Sequence, residues 1–205
     1  MKLSIVTLGK NAQAVLGHHP YNVNEANKET FILIVTDDAT TYQNVIGNIL
    51  FNENIHGRPT YLVIDMNTFS DYAQFKGAWT YYNKIEKAQT INGIVALIQY
   101  HLIQPSLIAF DSRDLLGICS FGEYLGSIRT DKGIEELKEV NMPANVMALA
   151  CGIGLANPSD STVELMNDLD DFFKKFREDT EIKWSISSAP NNDLIIVYSY
   201  NKLKS

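Results

Sequence analysis

Apolar runs alternate with polar segments along the first third of the chain. Residues 2–8, 31–36 and 60–66 are rich in aliphatic and β-branched side chains, and each run predicts a β-strand. Apolar residues at helical spacing predict a helix from about residue 40 to residue 52. Nearly continuous apolar strands that alternate with helices are typical of a parallel sheet covered on both faces, so this part is predicted to be α/β.

The most regular hydrophobic pattern follows the third predicted strand. Apolar residues recur there at steps of three or four, at Ile85, Ala88, Ile91, Val95, Ile98 and Leu102. The spacing predicts an amphipathic helix over about residues 81–104, long enough to cross a domain. Gly93 lies inside the pattern and indicates close packing against a neighbour, although Asn92-Gly93 would also suit a hairpin turn.

A different arrangement is predicted after Pro105. A short helix, a strand, a polar helix and an apolar strand are expected over residues 114–120, 124–128, 132–140 and 145–151. Residues 181–186 alternate strictly and residues 193–200 are β-rich, and together they predict a β-hairpin at the end of the chain.

One more helix is predicted between the apolar strand and this hairpin. Ser161 and Glu164 have the spacing of a capping box, which would begin the helix. Its predicted apolar face comprises Val163, Met166, Leu169, Phe173 and Phe176.

Composition narrows the classes of function. The 205 residues are 45% hydrophobic, enough for a substantial core, and the net charge is −7. Lys and Arg are scattered along the chain, so we expect no direct nucleic-acid partner.

Cysteine usage and hydropathy predict a soluble, cytoplasmic protein. Cys119 and Cys151 lie in apolar runs without zinc-ligand spacing, which suits a reducing compartment, and no metal site is expected. The first 20 residues lack a signal-peptide pattern, and no apolar run approaches the roughly 18 residues of a membrane span, so no membrane partner is expected.

The order of elements in the second half resembles that of the tubulin/FtsZ superfamily. Residues 107–115, Leu-Ile-Ala-Phe-Asp-Ser-Arg-Asp-Leu, are similar to the loop that follows the central helix in FtsZ and in TubZ-type plasmid and phage proteins. The resemblance extends through residues 145–154, the capped helix and the last two strands, and covers about residues 60–202. In pattern it is closest to the TubZ type.

The resemblance implies a fold class and a division of the chain. The fold would be α/β, a shortened tubulin/FtsZ-like fold in which a parallel-sheet half and a smaller α+β half are joined by a long central helix. Residues 1–80 would form a partial nucleotide-binding-like half, residues 81–104 the central helix and residues 105–205 the activation-like half.

The resemblance also implies a function. The protein would assemble longitudinally with itself into filaments, with GTP and Mg²⁺ as the implied cofactors, for DNA partition, phage-DNA positioning or cell division. Asp111 and Asp114 would be the catalytic residues, because they would reach the nucleotide of the next subunit and orient a water there. Arg113 between them would neutralise one carboxylate or contact the neighbouring chain. A purely structural role is the alternative, with Asp114 as a helix cap and Asp111 as a turn former.

The sequence departs from the family at the phosphate-binding loop. Such a loop needs consecutive glycines, and nowhere in the chain do two glycines adjoin. Residues 7–12 follow the first strand but contain Gly9 alone, so they are either a worn phosphate loop or a simple turn. GTP hydrolysis by this chain alone is therefore an open question.

Two further functions stay open. The chain could be a non-catalytic relative that caps or regulates a full-length tubulin-like filament. It could instead be an unrelated α/β enzyme with its ligand near Gly9, Asp37 and Asp65, at the carboxyl ends of the strands. His18-His19 would suit a metal, but adjacent loop histidines are usually solvated.

Overall fold

In the computed structural model the chain divides into two units. Most of the chain is described. The described residues are 1–20, 30–38, 40–42, 44–45, 60–66, 80–104, 106–157, 163–188 and 192–202. The first unit is Met1–Ala88 and the second is Gln89–Ser205. No helix among these described residues has the length and apolarity that a membrane crossing needs.

The first unit contains a parallel sheet of four strands. They are β1 (Lys2–Leu8), β2 (Thr30–Thr36), β3 (Thr60–Asp65) and β4 (Thr80–Ile85), in that order across the sheet. Every residue of β2 is buried, because strands lie on both sides of it and its side chains are covered. The first three strands confirm the predicted α/β pattern.

Two helical segments of the first unit are described. Helix α1 spans Lys10–Leu16, directly after β1. Residues 40–42 and 44–45 are also helical, where the helix over residues 40–52 was predicted. The remainder of that predicted helix, residue 43 and residues 46–52, lies outside the described residues.

The prediction that a helix begins near residue 81 is wrong. Residues 80–85 form β4, which pairs with β3 so that Leu62 lies beside Tyr81. Helix α2 spans Thr90–Leu97 and continues as a π-helix over Ile98–Ile103. The buried Ile85 belongs to the strand. It lies at a helical spacing from the apolar residues of α2 by coincidence, and the spacing of single residues cannot distinguish such a coincidence from a helix.

The second unit contains a mixed sheet of five strands. They are β5 (Ser106–Ile108), β6 (Tyr124–Thr130), β7 (Val146–Leu155), β8 (Glu181–Ser188) and β9 (Asp193–Tyr200). Their order across the sheet is β6-β9-β7-β8-β5. The predicted β-hairpin is wrong, because β7 lies between β8 and β9, parallel to the first and antiparallel to the second. Alternation in residues 181–186 and the β-rich composition of residues 193–200 identified the two strands but not the strands that pair with them.

Helix α3 (Ser112–Phe121), a 3-10 helix (Gly133–Lys138) and helix α4 (Val163–Phe173) complete the second unit. The predicted apolar face of α4 is partly wrong: Val163 and Met166 are 78% and 40% exposed. Leu165, Leu169 and Phe172 are buried, and the predicted Phe173 and Phe176 are partly buried against the same core. The predicted and the observed sets of apolar residues both have helical spacing, and only packing against the sheet decides which residues are buried. Ser161, the predicted cap, lies outside the described residues.

The two faces of β7 differ in side-chain size. Large residues such as Leu149 and Ile153 pack with Leu169 and Phe172 of α4 in one buried core. The alternate residues, Ala148, Ala150, Gly152 and Gly154, are small and face the other way. Both cysteines are buried and form no disulfide, and burial raises the pKa of each thiol to about 12.

Close packing beside glycine holds the α2 segment on this sheet. A Cβ atom on Gly93 would overlap the Ser127 hydroxyl, which confirms the close approach expected at that glycine. In the π-helix, the buried His101 ring lies over Gly152, and its Nδ1 is 2.8 Å from Ser185 Oγ. Burial lowers the pKa of His101 from about 6.5 to about 4.

We expect Gly152→Ala to lower the free energy of unfolding by about 1–3 kcal/mol, the usual cost of overpacking a core. A Cβ atom there would lie 2.5 Å from His101 Cδ2. Gly117→Ala is the matched control, because nothing lies within 4 Å of a Cβ atom added to that helical position. Urea unfolding should show the control unchanged or stabilised by up to about 1 kcal/mol. Equal stability of Gly152→Ala and the parent would contradict the packing described.

Acid should destabilise the second unit through His101. The folded pKa of His101 lies below its unfolded value, so the unfolded chain binds the proton more readily. The contribution of His101 to stability is complete above about pH 6.5 and falls as the pH drops towards 4, by about 3 kcal/mol in total. Urea unfolding of the parent and of His101→Asn between these pH values isolates this contribution, since other groups titrate in both. A stability difference that does not change with pH would refute it.

Candidate functional site

The turn between β1 and α1 is built around a carboxylate from the next strand. Asp37 follows β2, and its backbone N–H donates to the Leu8 carbonyl at 2.9 Å. Its Oδ2 accepts the N–H of Asn11, and its Oδ1 accepts the N–H of Ala12, each at 3.1 Å. Two N–H groups of the first turn of α1 are thus satisfied by one side chain.

Parallel pairing brings Asp37 to this turn. Leu8 lies beside Thr36, so the residues that follow β1 and β2 meet at the same edge of the sheet. Gly9 connects β1 to α1 with φ +98°, a conformation that side chains rarely adopt. A Cβ atom on Gly9 would overlap the Asp37 carboxylate, so the single glycine of this turn makes room for an acidic side chain.

The segment after α1 folds back beside β1. Thr7 Oγ1 donates to the Gly17 carbonyl at 2.8 Å and accepts the His19 N–H at 2.9 Å. The Thr7 N–H donates to the His19 carbonyl at 2.8 Å. His19 Nε2 lies 2.9 Å from the Leu16 carbonyl, so this ring takes part in a local hydrogen bond.

Asp38 caps the helical residues that begin at Thr40. Its Oδ1 accepts the N–H groups of Thr40 and Thr41, and its Oδ2 accepts the Thr41 hydroxyl at 2.6 Å. The hydrogen bond from the Thr41 side chain, followed by that from its backbone, lowers the pKa of Asp38. The adjacent residues Asp37 and Asp38 therefore cap two different helices. The sequence alone does not show which acid caps which helix.

A cavity of about 460 Å³ opens at this edge of the first unit. Its lining residues are Thr7, Leu8, Gly9, Lys10, Gln13, His18, Pro20, Asp38, Thr41 and Val45. The volume is in the range of small-molecule sites. Asp65, named in the enzyme alternative, is buried at the end of β3 and is not among these residues.

The β1–α1 turn does not fit the phosphate groups of GTP. A phosphate needs N–H donors at the start of the helix, and here Asn11 and Ala12 already donate to a carboxylate. A phosphate would also bring negative charge against Asp37. The implied GTP and Mg²⁺ therefore find no cradle at this turn.

Asp111 and Asp114 lie together at the start of α3 and form a capping box. Asp111 Oδ1 accepts the N–H groups of Arg113 and Asp114, at 2.7 and 3.0 Å. Asp114 Oδ2 accepts the Asp111 N–H at 3.0 Å. The structural alternative is thus realised, with Asp111 rather than Asp114 as the N-cap. A catalytic role for the pair stays a prediction.

Lys183 is the cation beside this pair. Its Nζ is 3.4 Å from Asp114 Oδ1 and 3.2 Å from Glu181 Oε1. Hydrogen bonds to Glu181 and then to Asp114 raise the pKa of Lys183. Arg113 was the cation that the sequence indicated for this role, and Lys183 could not be found from the sequence because only the tertiary fold places β8 next to α3.

The segment before the pair exposes apolar side chains. Leu107 and Ile108 are 61% and 39% exposed, and Ala109 is also exposed. Leu107 and Ile108 lie on β5, an edge strand that pairs with β8 on one side. The segment 107–114 therefore presents apolar and acidic groups side by side.

The chain is similar to solved structures. No protein-family model and no curated protein sequence matches the chain. CetZ from Methanosaeta thermophila matches with TM-score 0.54 and 11% identity, over 85% of this chain and 61% of that one. An FtsZ mutant from M. jannaschii matches with TM-score 0.55 and 10% identity, over 97% and 90%. TubZ from Bacillus thuringiensis matches with TM-score 0.38 and 9% identity, over 97% and 64%.

The chain has a tubulin/FtsZ-like fold, as the resemblance in its sequence implied. Identities near 10% establish the fold and nothing finer. The chain spans 61% of the length of the CetZ structure and 90% of the FtsZ structure. The narrower likeness to TubZ stays a prediction, because a TM-score of 0.38 supports no argument.

We expect Asp111→Ala to lower the free energy of unfolding by about 1 kcal/mol, the usual cost of losing a helix N-cap. Asp111→Asn is the matched control, because its amide oxygen can still accept the N–H groups that Oδ1 accepts. Chemical unfolding measures both variants. Equal losses in the two variants would show that charge, and not capping, is what Asp111 supplies to stability.

Proposed function

We propose that this chain is a tubulin-like assembly protein that associates end to end with further copies of itself through segment 107–114. The single observation that supports this is the exposure of Leu107, Ile108 and Ala109 directly before Asp111. A scattered exposed leucine needs no explanation, but a contiguous apolar run that begins on the last strand of the described sheet favours a contact.

Asp111 is the residue of the pair that faces the next subunit in this proposal. Its Oδ1 is used for capping, while Oδ2 accepts no hydrogen bond from the described residues. Both oxygens of Asp114 have partners, the Asp111 N–H and Lys183. Asp111 Oδ2 is therefore the oxygen that accepts a proton donor, a water included, from a neighbouring subunit. Asp114 helps to hold Asp111 in position, because Asp114 Oδ2 accepts the Asp111 N–H.

Assembly of this chain with itself would not hydrolyse nucleotide. The next copy would present a β1–α1 turn in which Asp37 takes the N–H groups that a phosphate needs. A water oriented by Asp111 would then have no phosphate to attack. The implied roles in DNA partition, phage-DNA positioning or cell division rest on the resemblance alone.

A second candidate function follows from the same observation at Asp37. Asp111 would act catalytically only against a subunit that holds nucleotide, such as a full-length tubulin-like protein. The chain would then cap or regulate that protein's filament, as the non-catalytic alternative has it.

Sedimentation and light scattering test the assembly. We expect the parent to pellet equally with GTP and Mg²⁺, with GDP and without nucleotide, and Leu107→Asp to reduce the pelleted fraction several-fold, because it places a charge in the apolar contact. Val163→Asp is the matched control: it changes an exposed apolar residue of α4, 78% exposed, and should leave pelleting unchanged.

The same assay separates the two candidates. Pelleting only when a full-length FtsZ is added, again lost in Leu107→Asp, would replace self-assembly by the regulatory function. A parent that stays monomeric alone and with FtsZ would refute both.

A further inference from the structure

We propose that the Asp37 carboxylate is a built-in substitute for a bound phosphate, so that the β1–α1 turn is ordered without any nucleotide and is insensitive to it. The proposal does not depend on assembly, since it concerns one turn of the monomer.

The hydrogen bonds have the form of anion binding. Two oxygens of one carboxylate accept two consecutive N–H groups, those of Asn11 and Ala12, each at 3.1 Å. An anion bound at a helix start uses the same donors. Here the anion is a side chain of the protein itself, so it is present at the start of α1 whatever the concentration of phosphate in solution.

The sheet holds the carboxylate in place. The Asp37 N–H donates to the Leu8 carbonyl at 2.9 Å, which extends the pairing of β1 with β2 beyond the last strand residues. A Cβ atom on Gly9 would be 2.7 Å from Asp37 Cγ and would displace it. The glycine that suggested a worn phosphate loop is therefore explained by the acid itself.

Electrostatics oppose a second anion at the same place. The start of a helix offers roughly half a positive elementary charge, which one carboxylate already offsets. A phosphate would have to displace Asp37 or lie beside it without the two donors.

The experiment compares the parent with Asp37→Ala, and Asp38→Ala is the matched control. The Asp38 carboxylate accepts the N–H groups of Thr40 and Thr41, whereas the Asn11 and Ala12 N–H groups of α1 donate to Asp37. Loss of Asp38 should therefore destabilise the protein without freeing the N–H groups of Asn11 and Ala12. Thermal unfolding is recorded with and without inorganic phosphate at constant ionic strength. The amide resonances of Asn11 and Ala12 are followed during titration with phosphate and with GTP and Mg²⁺.

In the parent we expect no phosphate-dependent change in Tm and no movement of either amide resonance. Asp37→Ala should lower Tm by about 2–6 °C, and phosphate should recover part of this loss. Asp38→Ala should lose stability without recovery. Saturable movement of the Asn11 and Ala12 resonances of the parent with phosphate or GTP would overturn the proposal, and so would an Asp37→Ala variant that phosphate does not stabilise.

Asp37→Asn keeps the proposal testable if Asp37→Ala does not fold. It retains one amide oxygen and removes the charge, so phosphate should now raise its Tm. The titration of the parent decides in any case. A negative sedimentation result would refute self-assembly and leave this inference standing, so the two fail separately.

Discussion

The second unit depends on the position of β7 between β8 and β9. A strand with neighbours on both sides must satisfy its backbone through both, and β7 does so in parallel with β8 and antiparallel with β9. Its large side chains pack against α4, and its small ones let the His101 ring approach the backbone at Gly152. This arrangement also fixes β8, and through it the edge strand β5 and the cation Lys183 beside Asp114.

Carboxylates satisfy N-terminal N–H groups of α1 and of α3, with opposite consequences. At α3, Asp111 caps its own helix through one oxygen and keeps the other available. At α1, Asp37 comes from a different strand and uses both oxygens. Capping by a carboxylate thus leaves a hydrogen-bond acceptor, Asp111 Oδ2, at the start of α3. At the start of α1 it occupies the N–H groups that an anion would use.

The two sites differ in what they offer to a neighbouring molecule. One retains the acidic loop that the resemblance associates with subunit contact, next to exposed Leu107 and Ile108. The other lacks adjacent glycines, and the N–H groups of Asn11 and Ala12 there already donate to Asp37. The residues to which we assign assembly are therefore different from the residues that oppose phosphate binding.

The sequence by itself determined most of the strands, the helices α3 and α4, the close approach at Gly93 and the tubulin/FtsZ-like order of elements. It did so because alternation, helical spacing and capping residues are local signals. The tertiary structure alone decided that residues 80–85 join a sheet, that β7 separates β8 from β9, and which stripe of α4 is buried. It also decided that Asp37 caps α1 and that Lys183 pairs with Asp114. Each of these depends on contacts between residues far apart in the chain, and a local pattern carries no information about which distant partner will satisfy it.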